Sequence, residues 1–348
     1  MLHPYKSQPI DAFWGRSISR NWDAISLRRE SPILTSQDRI VSLGSCFAAN
    51  LVPHLKKSGY TYIGEEPRHT AFDALPPENF SYEKFSAAYG NVYTSRQFLQ
   101  LLDRVEGRFS PAEDRWFVGT EIVDPFRPGL RYRARTVVEY EALTQSHLMA
   151  VRRAFSKATV VIFTLGLTEA WMSKQDGAVF PACPGTVSGA FDDSKHIFHN
   201  FTVKEVVEDL GEIIGRLRAY REDIRLLLTV SPVPLVATAT KAHVLEASTY
   251  SKSVLRAACG EIAGTYANAS YFPAYEIITG PQAPDDYFES DRRNVSQKGI
   301  ESVMQVFFAS CADATPAIAI STSSVDGTPR EMARRMVIAE CEEAASEL

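Results

Sequence analysis

The sequence predicts an α/β protein built on a three-layer, doubly wound parallel sheet. Two observations carry this. Residues 159–164 (TVVIFT) are almost continuously apolar and β-branched, the composition of a strand buried on both faces. Shorter runs of the same kind at 39–43, 60–63 and 224–230 alternate with longer helical stretches, the pattern of strand–helix–strand crossovers. No internal repeat or long low-complexity run suggests a solenoid or fibrous alternative.

Taken in order, residues 1–37 read as an arm packed on the core, with Trp14 and Trp22 as its anchors. The first strand, 39–43, runs straight into Gly44 and a helix from Cys46 to Lys57, closed by Gly59. A second strand follows at 60–63. Residues 64–95 are loop-rich and end in YGNVYT, before a helix at 96–105. Residues 114–137 read as an inserted hairpin turning at Arg127-Pro128-Gly129, and 139–157 as a long helix. After the central strand, 171–201 form a second excursion with turns at Asp176-Gly177 and Pro184-Gly185. Thr202 with Glu205 three residues on is a capping box, opening a helix to about Tyr220. Then come a strand (224–230), a helix (250–266), an edge strand (271–275) and a last core helix from Ser296 to about Ala309. A Thr/Ser/Ala/Pro-rich linker (314–328) leads to a terminal helix, 330–347, that docks back or mediates association. The expected division is 1–37, 38–309 and 310–348.

Bulk properties narrow the function. The 348 residues carry a net charge of −5, with 45% hydrophobic and 23% charged residues, an ordinary globular balance. A nucleic-acid or anionic-membrane partner would want a basic face, so neither is expected. Arg131, Arg133 and Arg135 read as a solvated strand face. No apolar run approaches the ~20 residues that span a bilayer, and the first residues lack a signal-peptide core, so the expected compartment is the cytoplasm. The five cysteines (Cys46, Cys183, Cys259, Cys311, Cys341) are widely spaced, with no CxxC pair. That predicts neither a zinc knuckle nor a disulfide framework, and any cysteine that matters acts alone. No metal and no cofactor are expected. His196 and His199 stand at i, i+3, but no carboxylate or cysteine set completes a metal site around them.

Ligands bind doubly wound sheets at the carboxyl ends of the strands. There Gly44-Ser45-Cys46 sits where a strand turns sharply into a helix. Glycine permits the turn, and the next side chains fall at the helix N-terminus, where the macrodipole favours a thiolate or an oxyanion. A nucleophile needs that placement; a small buried cysteine filling space is the equal alternative. Gly166, Thr168 and Glu169 end the central strand at the same edge, although Thr168 also reads as a helix N-cap. Gly90 and Asn91 pair a side-chain amide with glycine, which lines an oxyanion pocket or makes an ordinary turn. His54 and His147 fall within predicted helices and read as surface or packing residues.

Together these segments resemble the GSCFA family, a bacterial family named for the motif that stands here as Gly44-Ser45-Cys46-Phe47-Ala48. The resemblance extends through YGNVYTSRQ (89–97), FTLGLTEAW (163–171), PACPGTVSGAFD (181–192), LLTVSPVPL (227–235), TYSKSVLRA (249–257) and YFPAYEIIT (271–279). It implies a flavodoxin-like SGNH-hydrolase fold with inserted hairpins, and a hydrolase, esterase or acyltransferase acting on a small-molecule or glycan-like acyl substrate. By motif, Cys46 takes the nucleophile position and Ser45 the neighbouring aspartate's. Gly90 matches the glycine block, and Gly166 and Thr168 fall on the Gly-x-Asn block, with Asn91 as the substitute amide. Asn294 stands where the D-x-x-H histidine belongs, after Asp291. A standard Ser-His-Asp relay therefore cannot be assembled from the motifs. His243 is the expected substitute base, with His196 second and Glu169 beside the same edge. A binding protein that has lost its relay is the alternative.

Overall fold

The computed structural model describes residues 3–18, 22–67, 82, 84–130 and 132–312. The proposed terminal helix lies outside these residues, as do His69, Arg131 and Cys341.

Five parallel strands form the central sheet: β1 (Arg39–Gly44), β2 (Thr61–Tyr62), β5 (Val160–Leu165), β9 (Arg225–Val230) and β10 (Ala269–Tyr271). Their spatial order, β10-β9-β5-β1-β2, is the flavodoxin-like 2-1-3-4-5 order when only these strands are numbered. The register sets Gly44 opposite Thr164, and Thr164 opposite Thr229, so the strand ends share one edge.

Strand alternation divides the core. Val41, Leu43, Val161, Phe163, Leu226 and Leu228 face one apolar cluster. It also takes residues of α3 (Ser95–Val105), α4 (Val137–Lys157), α5 (Val203–Tyr220) and α6 (Val244–Thr265). Ile40, Val160, Ile162 and Leu227 face the other. That cluster holds the inner side of α2 (Cys46–Lys57), α7 (Ala274–Thr279) and α8 (Gln297–Ala309). Helices on both faces explain why the strands are continuously apolar. Ala24, Ile33 and Leu34 of the arm join this second cluster, with Trp22 packed against it. Trp14 does not anchor: it lies in the one-turn helix α1 (Trp14–Ser17) and is 65% exposed.

Two small sheets stand apart from the central one. β3 (Trp116–Val118) and β4 (Glu121–Val123) form a hairpin. It turns at Gly119-Thr120, with Gly119 at φ +61°; the chain turns again at Arg127-Pro128-Gly129, where Leu130 N–H donates to Arg127 O, and returns so that Ala134 pairs antiparallel with Ile122. A buried ion pair, Arg127 Nε to Asp124 Oδ2 at 2.8 Å, holds this second turn. β6 (Glu169–Ser173) pairs antiparallel with both β7 (Val179–Phe180) and β8 (His196–Asn200). Thr168 therefore precedes a strand rather than capping a helix. Helix α6 starts six residues before the predicted 250, because His243 acts as its N-cap, Nδ1 accepting from Leu245 N–H. The predicted edge strand at 271–275 ends at Tyr271. Pro273, which has no N–H for a ladder, opens α7 instead.

Candidate active site

Gly44 ends β1 with φ +148°, a conformation that L side chains rarely adopt. A Cβ there would lie 2.5 Å from the Thr164 carbonyl oxygen and 2.8 Å from Thr164 Cβ. Glycine thus lets two neighbouring strands stay paired while the chain turns into α2. Ser45 is the N-cap of α2, in extended conformation, yet its side chain makes no capping bond. It is 3% exposed, and its buried Oγ meets no hydrogen-bond partner among the described residues. A serine at an N-cap ordinarily bonds a first-turn amide, so this hydroxyl is aimed elsewhere. Cys46 is the first residue of α2 and is 7% exposed.

Two loops close on this turn. The 89–94 segment is tied to β1 by Val92 N–H donating to Gly44 O at 2.9 Å and by the Tyr89 hydroxyl donating to Ser42 O. Asn91 Nδ2 donates to the Tyr93 hydroxyl at 3.0 Å. The 164–168 segment docks on the first loop: Gly166 N–H and Leu167 N–H both donate to Tyr93 O. Gly166 packs so closely that a Cβ on it would lie 2.9 Å from the Tyr93 ring and 3.3 Å from Ser45 Cβ. The geometry thus brings Ser45, Cys46, Asn91, Tyr93 and Gly166 to one sheet edge.

The other expected residues have different occupations. Gly90 sits at φ +69° as a turn residue of the 89–94 loop. The Gly166 amide, expected to face an oxyanion, is spent on Tyr93 O. Thr168 is fully buried; its N–H donates to Ser251 Oγ and its hydroxyl to Asn200 Oδ1. Glu169 accepts from the Thr238 hydroxyl at 2.6 Å and from Ala239 N–H at 3.1 Å, pinning the loop after β9. His243 is exposed, and its Nδ1 is engaged as a helix cap. His196 is buried; Nδ1 accepts from Asp192 N–H, which leaves the proton on Nε2, facing Glu113 at 3.0 Å. Asn294 is held in an exposed turn by Asp291, whose carboxylate accepts from its N–H and its amide. Among the described residues no group of three or more His, Cys, Asp or Glu could hold a metal ion.

His147, read as a surface or packing residue, is buried in α4, and its Nδ1 lies 2.7 Å from Glu66 Oε2, a partner the sequence did not suggest. Arg127 approaches the same carboxylate at 3.5 Å. Burial and Arg127 push the imidazole below its ordinary value, against the opposing pull of the Glu66 carboxylate. Burial opposes the Glu66 carboxylate, but His147, Arg127 and the Ala88 N–H outweigh it and hold the group at about 2. A small cavity of about 30 Å³ borders His147, Asn91 and Arg127. The sequence offered no signal, since Glu66 and His147 are 81 residues apart.

A larger cleft of about 290 Å³ opens beside the turn, lined by Tyr93, Leu167, Glu169, Trp171, Phe198 and Thr238 among others. Tyr93 and Leu167, which line it, neighbour Gly166, whereas Ser45 and Cys46 do not line it. Cys183 also lines it, and burial pushes that thiol up. Burial likewise raises Cys259, and Cys311 to about 12, which makes both poor nucleophiles.

No helix among the described residues is long and apolar enough to cross a membrane. The search among curated proteins finds no match. Solved structures similar to this chain include "The structure of a putative platelet activating factor from Streptococcus pneumonia" (9% identity, 81% of this chain and 86% of that one, TM-score 0.36). Another is the crystal structure of an acetyl esterase mutant with acetate ion (11% identity, 77% of this chain and 93% of that one, TM-score 0.34). At that identity and score they speak to neither substrate nor reaction. The GSCFA family model matches residues 39–307, from the first strand of the central sheet through most of α8. The chain belongs to the GSCFA family.

Proposed function

We propose that the protein is an acyl-ester hydrolase or acyltransferase whose reacting centre is the turn at Gly44-Ser45-Cys46, with Cys46 as nucleophile. The observation that carries this is the Ser-Cys pair at the start of α2. Its N-cap hydroxyl is buried and uncommitted, so the first-turn amides of α2 are not occupied by their usual cap. Amides at a helix N-terminus stabilise an anion. They favour both a thiolate at Cys46 and the oxyanion that forms when it attacks. In the proposed reaction the thiolate adds to the ester carbonyl carbon. The C–O bond then breaks, the alkoxide takes a proton from solvent water, and a thioester remains on Cys46. Attack on the thioester carbonyl by water (hydrolysis) or another hydroxyl (transfer) then breaks the C–S bond, returns the thiolate and releases the attacking group's proton to solvent. The cleft supports an acyl ester of a sugar-like or other small alcohol, because Tyr93, Trp171 and Phe198 offer ring faces and Glu169 and Thr238 polar edges.

Replacing Cys46, Ser45 and His243 singly by alanine and assaying a panel of acyl esters tests the reading. Cys46→Ala should lose roughly a thousandfold or more in kcat, and His243→Ala should lose little. Full activity in Cys46→Ala would sink the thiol mechanism, and no turnover of any ester by the wild type would sink the enzyme.

One observation favours a second reading, a non-catalytic binding protein. The D-x-x-H place holds Asn294, bonded to Asp291 in a turn, so no relay stands there. A ligand recovered intact from the purified protein, with no turnover, would support it.

A further inference from the structure

Lys252, inside the TYSKSVLRA segment, is a buried lysine that the proposed reaction does not use. It sits in the third turn of α6 and is 4% exposed. Burying an ammonium group is costly unless specific interactions hold it, and such groups concentrate at functional sites. Its Nζ donates to the carbonyl of Gly166, the residue packed against Ser45 Cβ. The preceding residue, Ser251, accepts from Thr168 N–H. One turn of α6 thus grips both ends of the Gly166–Thr168 segment. Ser251 supplies a neutral bond and Lys252 a charged one.

We propose that Lys252 is a positioning residue of the reacting centre: through Gly166 it clamps the loop against the Ser45-Cys46 turn and fixes a positive charge beside the nucleophile. The inference rests on the proposed function. It assigns to α6 the electrostatic part of the task that the absent D-x-x-H histidine would perform. A nearby opposite charge favours the ionised form of a thiol. Lys252 then works together with the N-terminus of α2.

The test is the pH dependence of Cys46 alkylation by iodoacetamide, followed by peptide mass, in the full chain. Lys252→Met keeps the aliphatic stem and removes the charge. Loss of a nearby cation should cut the alkylation rate at neutral pH about tenfold or more and move its pH midpoint upward. Lys252→Arg should keep the midpoint. Ser251→Ala loosens the same loop without touching charge, so it should leave the midpoint unmoved even if turnover falls. Should Lys252→Met fail to fold, Lys252→Gln is read in its place against Lys252→Arg. A Lys252→Met midpoint equal to that of the wild type overturns the inference, and ester turnover by that wild type leaves the proposed function standing. A wild-type Cys46 that alkylates only well above neutral pH overturns the inference whatever the ester assay gives.

Discussion

Replacing Glu66 by glutamine should remove a measurable share of the protein's stability, and the share should vanish in acid. Glu66 follows β2, its side chain is 13% exposed, and it binds three elements: His147 of α4, Arg127 of the inserted segment and Ala88 N–H beside the 89–94 loop. A carboxyl held at about 2 rather than 4.5 corresponds to about 3 kcal/mol of stability at neutral pH. Removing one partner of a buried pair costs about the same, 3–5 kcal/mol. Glutamine preserves the shape and can still accept from Ala88 N–H, so the loss isolates the charge. The sign follows from linkage. A carboxyl whose folded value is depressed contributes fully above its unfolded value and loses that contribution as pH falls toward the folded one. The gap between wild type and Glu66→Gln should therefore be about 3 kcal/mol at neutral pH and shrink between about 4.5 and 2. Urea unfolding across that range measures it. A gap below about 1 kcal/mol at neutral pH, or one that does not change with pH, would refute the view that this buried network ties the inserted segment to the core.

Other perturbations separate folding from chemistry. Gly44→Ala meets the Thr164 backbone at 2.5 Å in a strained conformation; strain and overpacking together predict about 2–5 kcal/mol of destabilisation by urea unfolding. His243→Ala removes a cap, so α6 should lose about 1 kcal/mol while ester turnover stays within about twofold; a collapse of kcat would restore His243 as the base. Trp171 packs edge-on against Phe191 and Phe198 beside the cleft. Trp171→Ala should raise KM about tenfold with a smaller effect on kcat, as expected when binding common to ground and transition states is lost.

The fold was legible where a single physical requirement governs a segment. Burial on both faces demanded the apolar run that became β5, and the Thr202/Glu205 capping box appears as read. Errors came where a distant partner decides. Arg127 is held by Glu66 from the far side of the sequence as well as by Asp124, and the tight hairpin turn lies at Gly119-Thr120. The Glu169–Ser173 stretch became a strand because β7 and β8 flank it, information that lies some ten to thirty residues away. His243 is an uncommon N-cap, so the start of α6 was invisible to ordinary cap rules. The turn at Gly44 was legible as a place for chemistry, since glycine, strand end and helix start coincide there. The roles of its neighbours were not. Thr168, Gly166 and Glu169 carry polar groups suited to an active site, but each is committed to holding another loop. Lys252 and His147 look like ordinary helix residues in the sequence, and only packing reveals that both are buried beside polar partners.

The central claim is that Cys46 forms the covalent bond to the acyl group. Incubation with an activated short-chain acyl ester, a rapid acid quench and peptide mapping by mass test this directly. The account predicts one acyl group on the peptide bearing Cys46, present in the wild type and absent in Cys46→Ala. Acylation that persists in Cys46→Ala at Ser45, or turnover with no acylated peptide at any time after mixing, would contradict it.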